Sequence, residues 1–387
     1  FAKGKVKRFA PEGAPTGTIR HNPGMNLPDR TELRLQWTRQ ALADPEALLV
    51  RASNDASFRS YWRAQSAGRA WIVMDAPPDK EDIRPWLDVA QRLAHAGLHV
   101  PDIQAADPQR GFVLMEDLGD RTLLPELNGT NVDRLYGEAM DALLAMQQNA
   151  DTVGLPEYDE ARLVAEMELM PEWFLKRHLG FTPECEQWDV IESAFRALVT
   201  SAQAQPQVFV HRDYHSRNLL VTDEHSPGVI DFQDAVRGPV TYDLVSLLRD
   251  CYIEWPNERV EHWAGEYREK LAAAGVAVPD AKTFQRAFDL MGLQRHIKVL
   301  GIFCRLWYRD GKAGYLQDLP LVWKYTREVG LRHPETAELV ALIETAIGDR
   351  NITLPVGAPS GANPFFAEGQ AKSFAPEGAP TGNCGEA

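Results

Sequence analysis

Val208-Phe209-Val210-His211-Arg212-Asp213-Tyr214-His215-Ser216-Arg217-Asn218-Leu219-Leu220-Val221, followed by Gly228-Val229-Ile230-Asp231-Phe232, sets three short apolar runs against two polar loops. Short β-branched and aliphatic runs bounded by polar turns predict strands buried in a core. His211, Asp213 and Asn218 fall on the first loop with the spacing H-x-D-x-x-x-x-N, and Asp231 ends the next apolar run thirteen residues after Asn218. A lone Asp-x4-Asn is more often a loop capping itself, since both residues favour turns. Here the flanking strands and a second acid at a strand end favour a functional reading.

The spacing is that of a protein-kinase catalytic loop and its metal-binding acid. Phosphoryl transfer asks the protein mainly to place two oxygens in line and to neutralise charge. Asp213, as the only acid in the loop, is the expected general base or orienting acceptor for a hydroxyl. Asn218 and Asp231 are the expected ligands of Mg2+, which takes hard oxygens and keeps several waters, and ATP is the expected donor. His211, at a strand end, is expected to hydrogen-bond within the loop rather than shuttle protons, because Asp213 fills that role.

A chain of 387 residues can bury a large core and divide into two lobes. Its net charge of −14 argues against a nucleic-acid binder and suits a small-molecule enzyme. The four cysteines are scattered without a C-x-x-C pair, so neither a zinc site nor a disulfide framework is expected. No signal-peptide core or membrane-length apolar run stands out, and the cytoplasm, which supplies ATP, is the expected compartment. No protein partner is evident. Residues 1–17 recur at 366–382 with thirteen of seventeen positions identical, both copies rich in Gly, Pro and small residues. Such composition cannot bury a core, so 1–24 and 351–387 are read as flexible or added tails.

Between the tails, helical spacing runs over 31–43 and three strands follow at 47–51, 60–64 and 69–74. A helix over 82–96, ended by Gly97, and strands at 103–105 and 111–115 complete a nucleotide-binding lobe over 25–117. From 118 to 350 the pattern is mainly helical around the catalytic strands. The fold class is therefore α+β and two-lobed, a small antiparallel sheet beside a larger helical lobe that carries catalysis and the acceptor site. The connector Glu116-Asp117-Leu118-Gly119 is the expected hinge, with Met115, Glu116 and Leu118 meeting the nucleotide. The loop Ala52-Ser53-Asn54-Asp55-Ala56-Ser57-Phe58 should cover the phosphates. It has no glycine, but Ser53, Asn54 and Ser57 and exposed backbone amides are suitable donors.

His211-x-Asp213-x-His215-x-x-Asn218 with Ile230-Asp231-Phe232 resembles the aminoglycoside-phosphotransferase and choline-kinase-like family of the kinase fold, over about residues 27 to 345. Trp71-Ile72-Val73-Met74-Asp75-Ala76-Pro77-Pro78, Val113 to Gly119, Ile230 to Ala235 and Gln294 to Gly301 look like its anomeric amino-sugar kinases of peptidoglycan recycling. That resemblance implies transfer of the ATP γ-phosphate to the C1 hydroxyl of N-acetylmuramate and N-acetylglucosamine. It also implies that Asp243, in Gly238-Pro239-x-x-x-Asp243-Leu244, braces the catalytic loop. One departure stands out: Met74 lies where a phosphate-gripping lysine is expected on the third strand, leaving Arg51, Arg59, Arg63 and Lys80 as candidate substitutes.

The segment from Lys282 to Lys324 is basic within an acidic protein, which suits an acid sugar better than a polycationic aminoglycoside. His215, Glu168, Trp173, Arg305 and Tyr308 are the candidate acceptor contacts, the aromatics as stacking platforms for a pyranose. Two rivals remain: a kinase for an aminoglycoside or amino alcohol, and a nucleotide-binding pseudokinase scaffold suggested by Met74 and the glycine-free loop.

Overall fold

The computed structural model describes residues 29–54 and 58–355. After helix α1 (Arg30–Leu42), five strands form an antiparallel sheet in the order β1-β2-β3-β5-β4, with β1 Leu49–Asn54, β2 Ser60–Ser66, β3 Arg69–Asp75, β4 Ile103–Asp107 and β5 Phe112–Glu116. Strand alternation gives the sheet two different faces. On the outer face Val73, Phe112 and Leu114 bury against Trp37 of α1, and Arg34 of α1 reaches Asp75 at 2.6 Å. The inner face presents Tyr61, Arg63, Ile72, Met74, Val113 and Met115, paired across strands by the register.

Helix α2 (Arg84–His95) carries Trp86, Val89, Ala90 and Leu93 on one buried stripe, the spacing of an amphipathic helix. It ends before Gly97, which turns the chain at φ +85°. The helical part follows with α3 (Leu123–Glu126), α4 (Val132–Asn149), α5 (Glu160–Met167), a π-helix (Met170–His178) and α6 (Cys185–Gln203). Strand β6 (Gln207–Val210) pairs with β9 (Val236–Pro239), and β7 (Leu219–Leu220) with β8 (Gly228–Val229). Helices α7 (Tyr242–Leu248), α8 (Asn257–Ala273), α9 (Ala281–Asp310), a 3-10 turn (Ala313–Asp318), α10 (Leu319–Gly330) and α11 (Pro334–Ile347) complete it.

One apolar core runs from Met74, Trp86 and Val113 under the sheet, through Leu135 and Tyr136 of α4, to Phe209, Phe232 and Phe288. The β6–β9 and β7–β8 pairs are thereby packed against both the sheet and the helices. Among the described residues no helix is long and apolar enough to cross a membrane.

Candidate active site

The loop after β6 is held open by one buried acid. Asp243, in the first turn of α7, accepts the His211 N–H at 2.6 Å and the Arg212 N–H at 3.0 Å. Burial pushes its carboxyl up to about 7, against the two N–H bonds that favour its charge. Arg212 takes φ +77° and Asp231 φ +64°, left-handed conformations costly for residues with a Cβ, about 1–3 kcal/mol each. Their strain falls on the residue just before Asp213 and on the acid that Asn218 links to it.

His211 is buried, and its pKa is lowered to about 4, chiefly by that burial. The Asp213 N–H donates to its Nδ1 at 3.2 Å, so the ring proton belongs on Nε2, which donates to the Ile230 carbonyl at 3.1 Å. His211 thus ties the loop of Asp213 to the strand end of Asp231. Asn218 Nδ2 donates to the Asp213 carbonyl at 3.0 Å and to Asp231 Oδ2 at 3.2 Å. Gln233 Nε2 donates to Asp231 Oδ1 at 2.9 Å, while its own Oε1 is buried with no hydrogen bond among the described residues. Two side-chain amides therefore bracket the Asp231 carboxylate, and that carboxylate with the Asn218 amide oxygen would supply the hard oxygens Mg2+ prefers. No group of three or more His, Cys, Asp or Glu forms a metal site among the described residues, so any ion here shares its shell with phosphate and water.

Asp213 looks into a cavity of about 450 Å³ lined by Arg212, Arg217, Tyr252, Arg295, Lys298 and Lys312, among others. Desolvation raises its pKa, but Lys298, His215, His211 and Arg212 outweigh it and hold the carboxyl below its ordinary value. Lys298 reaches Glu166 at 3.0 Å and the Tyr242 hydroxyl at 3.2 Å, and Arg212 also pairs with Glu166. Arg217 lies 3.4 Å over the Tyr252 ring, and neither it nor Lys312 enters an ion pair among the described residues. The cavity wall thus contains two cations that share Glu166, the buried Arg295 beside Cys251 Sγ at 3.6 Å, and Arg217 and Lys312 without an ion pair among the described residues.

A second cavity, about 520 Å³, lies between the inner face of the sheet and the segment 218–232, bounded by Tyr61, Ile72, Met115, Glu116, Leu118 and Phe232. Asn218 and Asp231 line both cavities, so a ligand in one meets a ligand in the other at these residues. The larger groove beside α6 and α9, about 1110 Å³, is lined by none of these groups.

Of the residues expected from sequence, Asp213, Asn218, Asp231 and His215 meet at the first cavity, and Met115, Glu116 and Leu118 at the second. Ser53 and Asn54 end β1 and their side chains are not described, while Ser57 lies outside the described residues. Glu168, Trp173, Arg305 and Tyr308, expected at the acceptor, do not line the cavity of Asp213. Glu168 is exposed past α5, Trp173 lies under Arg177 at 4.2 Å, and the Tyr308 hydroxyl meets His178 Nδ1 at 3.3 Å. Aromatic spacing along a helix does not say which neighbour a ring will face. Arg212, Tyr242 and Tyr252 have no motif signal, whereas Lys298 has one: a lysine inside the apolar run Ile297-Lys298-Val299-Leu300.

The model of the phosphotransferase enzyme family matches residues 49–281. An N-acetylmuramate/N-acetylglucosamine kinase of Pseudomonas putida is 49% identical over 300 residues, covering 77% of this chain and 88% of the relative. One of Neisseria meningitidis is 42% identical over 322 residues, covering 82% and 96%. Among solved structures, the choline kinase LicA of Streptococcus pneumoniae superposes with a TM-score of 0.55 at 13% identity, over 78% of this chain and all of that one. The ADP-bound aminoglycoside phosphotransferase APH(2'')-Ib gives 0.51 at 14%, over 79% and 97%. These two distant structures share the fold, and the near relatives with the family match fix the lineage: this chain belongs to the phosphotransferase enzyme family.

Proposed function

We propose that this chain transfers the γ-phosphoryl group of ATP to the anomeric hydroxyl of N-acetylmuramate and N-acetylglucosamine, giving sugar 1-phosphates in the cytoplasm. The observation that carries the reading is the acceptor cavity: Asp213 opens onto a wall with five cationic side chains and only one other carboxylate, Asp231. A lactyl carboxylate suits such a wall, and the near relatives are named for these two sugars. A polycationic aminoglycoside would meet repulsion there.

The C1 hydroxyl donates to Asp213 in the ground state. As the sugar oxygen bonds to the γ-phosphorus, the bond from that phosphorus to the β,γ-bridging oxygen breaks and ADP leaves with its electron pair. The hydroxyl proton passes to Asp213. Lys298 and Arg212, anchored by Glu166, keep Asp213 ionised before transfer. Asn218 and Asp231, with Gln233 beside them, would hold Mg2+, which neutralises phosphate charge. His211 and Asp243 fix the loop, His215 forms part of the acceptor wall, and Met115, Glu116 and Leu118 border the base.

The scaffold reading draws on one observation, the fully buried Met74 in place of a cation. ADP release measured with Mg-ATP and N-acetylmuramate, N-acetylglucosamine or kanamycin separates the readings, with Asp213→Asn as control. Sugar-dependent turnover giving an acid-labile, alkali-stable phosphate is expected. Turnover with kanamycin alone, or none with any acceptor despite ATP binding, overturns the proposal.

A further inference from the structure

The third strand brings no positive charge to the nucleotide cleft. Met74 is fully buried on the inner face, opposite Tyr61, and Trp86 of α2 packs on Phe232 with ring centroids 5.1 Å apart. Apolar contacts thus fill the space in which an ammonium and a helix carboxylate would otherwise meet. A polyphosphate buried against such a surface needs compensation from elsewhere.

Sheet register sorts the cations available. Arg51 pairs with Trp62 on the outer face, its guanidinium 5.6 Å from that ring, turned away from the cleft. Arg63 is on the inner face but at the hinge end, bound to Asp117 with one contact at 3.0 Å. Lys80 is half-exposed off the sheet, 3.6 Å from Asp79. Arg59 directly precedes β2, and alternation places it on the inner face with Tyr61 and Arg63, on the side of Tyr61 away from the hinge. Only 9% exposed, it donates through Nε to Glu81 Oε1 at 2.7 Å. Burial alone would lower its pKa, but Glu81 and Tyr61 outweigh that and secure its charge.

We propose that Arg59, oriented by Glu81, grips the phosphate chain of the nucleotide, so that an Arg–Glu pair at the start of β2 replaces the pair that a third-strand lysine would make. The inference rests on the nucleotide site proposed above and is independent of which sugar accepts the phosphate. Guanidinium, with its planar fork of donors, suits two phosphates better than an ammonium.

Calorimetric titration of Mg-ADP and of adenosine tests it, because adenosine keeps the base contacts and lacks the phosphates. Arg59→Ala should weaken Mg-ADP on the order of 10–100-fold, as expected for lost charge-assisted hydrogen bonds, and adenosine less than about twofold. Glu81→Gln, which leaves the guanidinium in place and removes only its partner's charge, should weaken Mg-ADP severalfold, again without moving adenosine; it serves if Arg59→Ala fails to fold. Lys80→Ala should leave both unchanged. Equal losses for the two ligands, or none with either variant, overturn the proposal. Failure of the sugar assignment would appear only in turnover and leave these titrations as they are.

Discussion

Asp213 carries a desolvation penalty that four neighbouring groups, led by Lys298, more than offset, so its carboxylate persists to lower pH than an ordinary aspartate. A base of that kind works only when deprotonated, and the acid limb of the rate profile belongs below the ordinary range of the residue. Replacing Lys298 with Met removes the largest of the offsetting charges while keeping most of the side-chain bulk. The acid limb of kcat should then move to higher pH, and an unmoved limb would show that Lys298 does not tune the base. Asp213→Asn keeps the shape and loses the proton acceptor; kcat should fall on the order of 10²–10⁴-fold while Mg-ATP affinity measured by calorimetry stays within about twofold. Retained turnover would remove Asp213 from the chemistry. The meeting of this residue with Asn218 and Asp231 was legible in the sequence because spacing and flanking strands constrain it. The charge balance around it was not, because Arg212, Glu166 and Lys298 come from three separate elements brought together by folding.

Helix α9 supplies Lys298 and Arg295 from one side of the acceptor cavity, and its approach depends on a single missing side chain. A Cβ at Gly301 would lie 2.3 Å from the carbonyl carbon of Leu169 and 2.4 Å from its oxygen, so the helix rests directly on backbone just before the π-helix. Glu166 sits three residues before Leu169, and its bond to Lys298, three residues before Gly301, spans the same contact. Gly301→Ala gains helix propensity but forces the two backbones apart, and overpacking of this kind costs about 1–3 kcal/mol. The midpoint of thermal unfolding should fall by several degrees, and the KM for sugar should rise more than the KM for ATP. An unchanged or raised midpoint would mean that the helices part without cost. Sequence reading placed β2 through β5, α1 and α2 within a few residues, because their alternation and helical stripes are local signals. The wide turns that follow α5 answer to packing against α9, which no local pattern encodes. Trp173 and Tyr308, chosen as sugar platforms, went to Arg177 and His178 for the same reason.

The whole chain carries a net charge of −14, yet its acceptor cavity has an excess of cations, so long-range repulsion and short-range attraction act together on an anionic sugar. Arg212 and Lys298 share the one carboxylate of Glu166, and Arg295 is buried against Cys251, which leaves Arg217 and Lys312 as the more exposed groups that sense the charge of the acceptor. Each has an acid in reach, Asp318 of the 3-10 turn for Arg217 and Asp310 at the end of α9 for Lys312, which softens the attraction without pairing either cation. N-acetylmuramate and N-acetylglucosamine differ by one lactyl carboxylate, which makes the neutral sugar an internal control. At low salt the local cations act over a distance of about 10 Å at 0.1 M, shrinking to about 3 Å at 1 M. The KM for N-acetylmuramate should therefore rise about two- to fivefold between these conditions, as for a partly exposed ion pair, with that for N-acetylglucosamine unchanged. In the double variant Arg217→Ala, Lys312→Ala the two sugars should respond to salt alike, and the preference for the acid sugar should shrink by a comparable factor. Steady-state kinetics on both sugars decides the matter: a salt response equal for the two in the unmodified chain, or one that survives the double substitution, would place the carboxylate-sensing charge elsewhere in the cavity, with buried Arg295 the next cation on its wall.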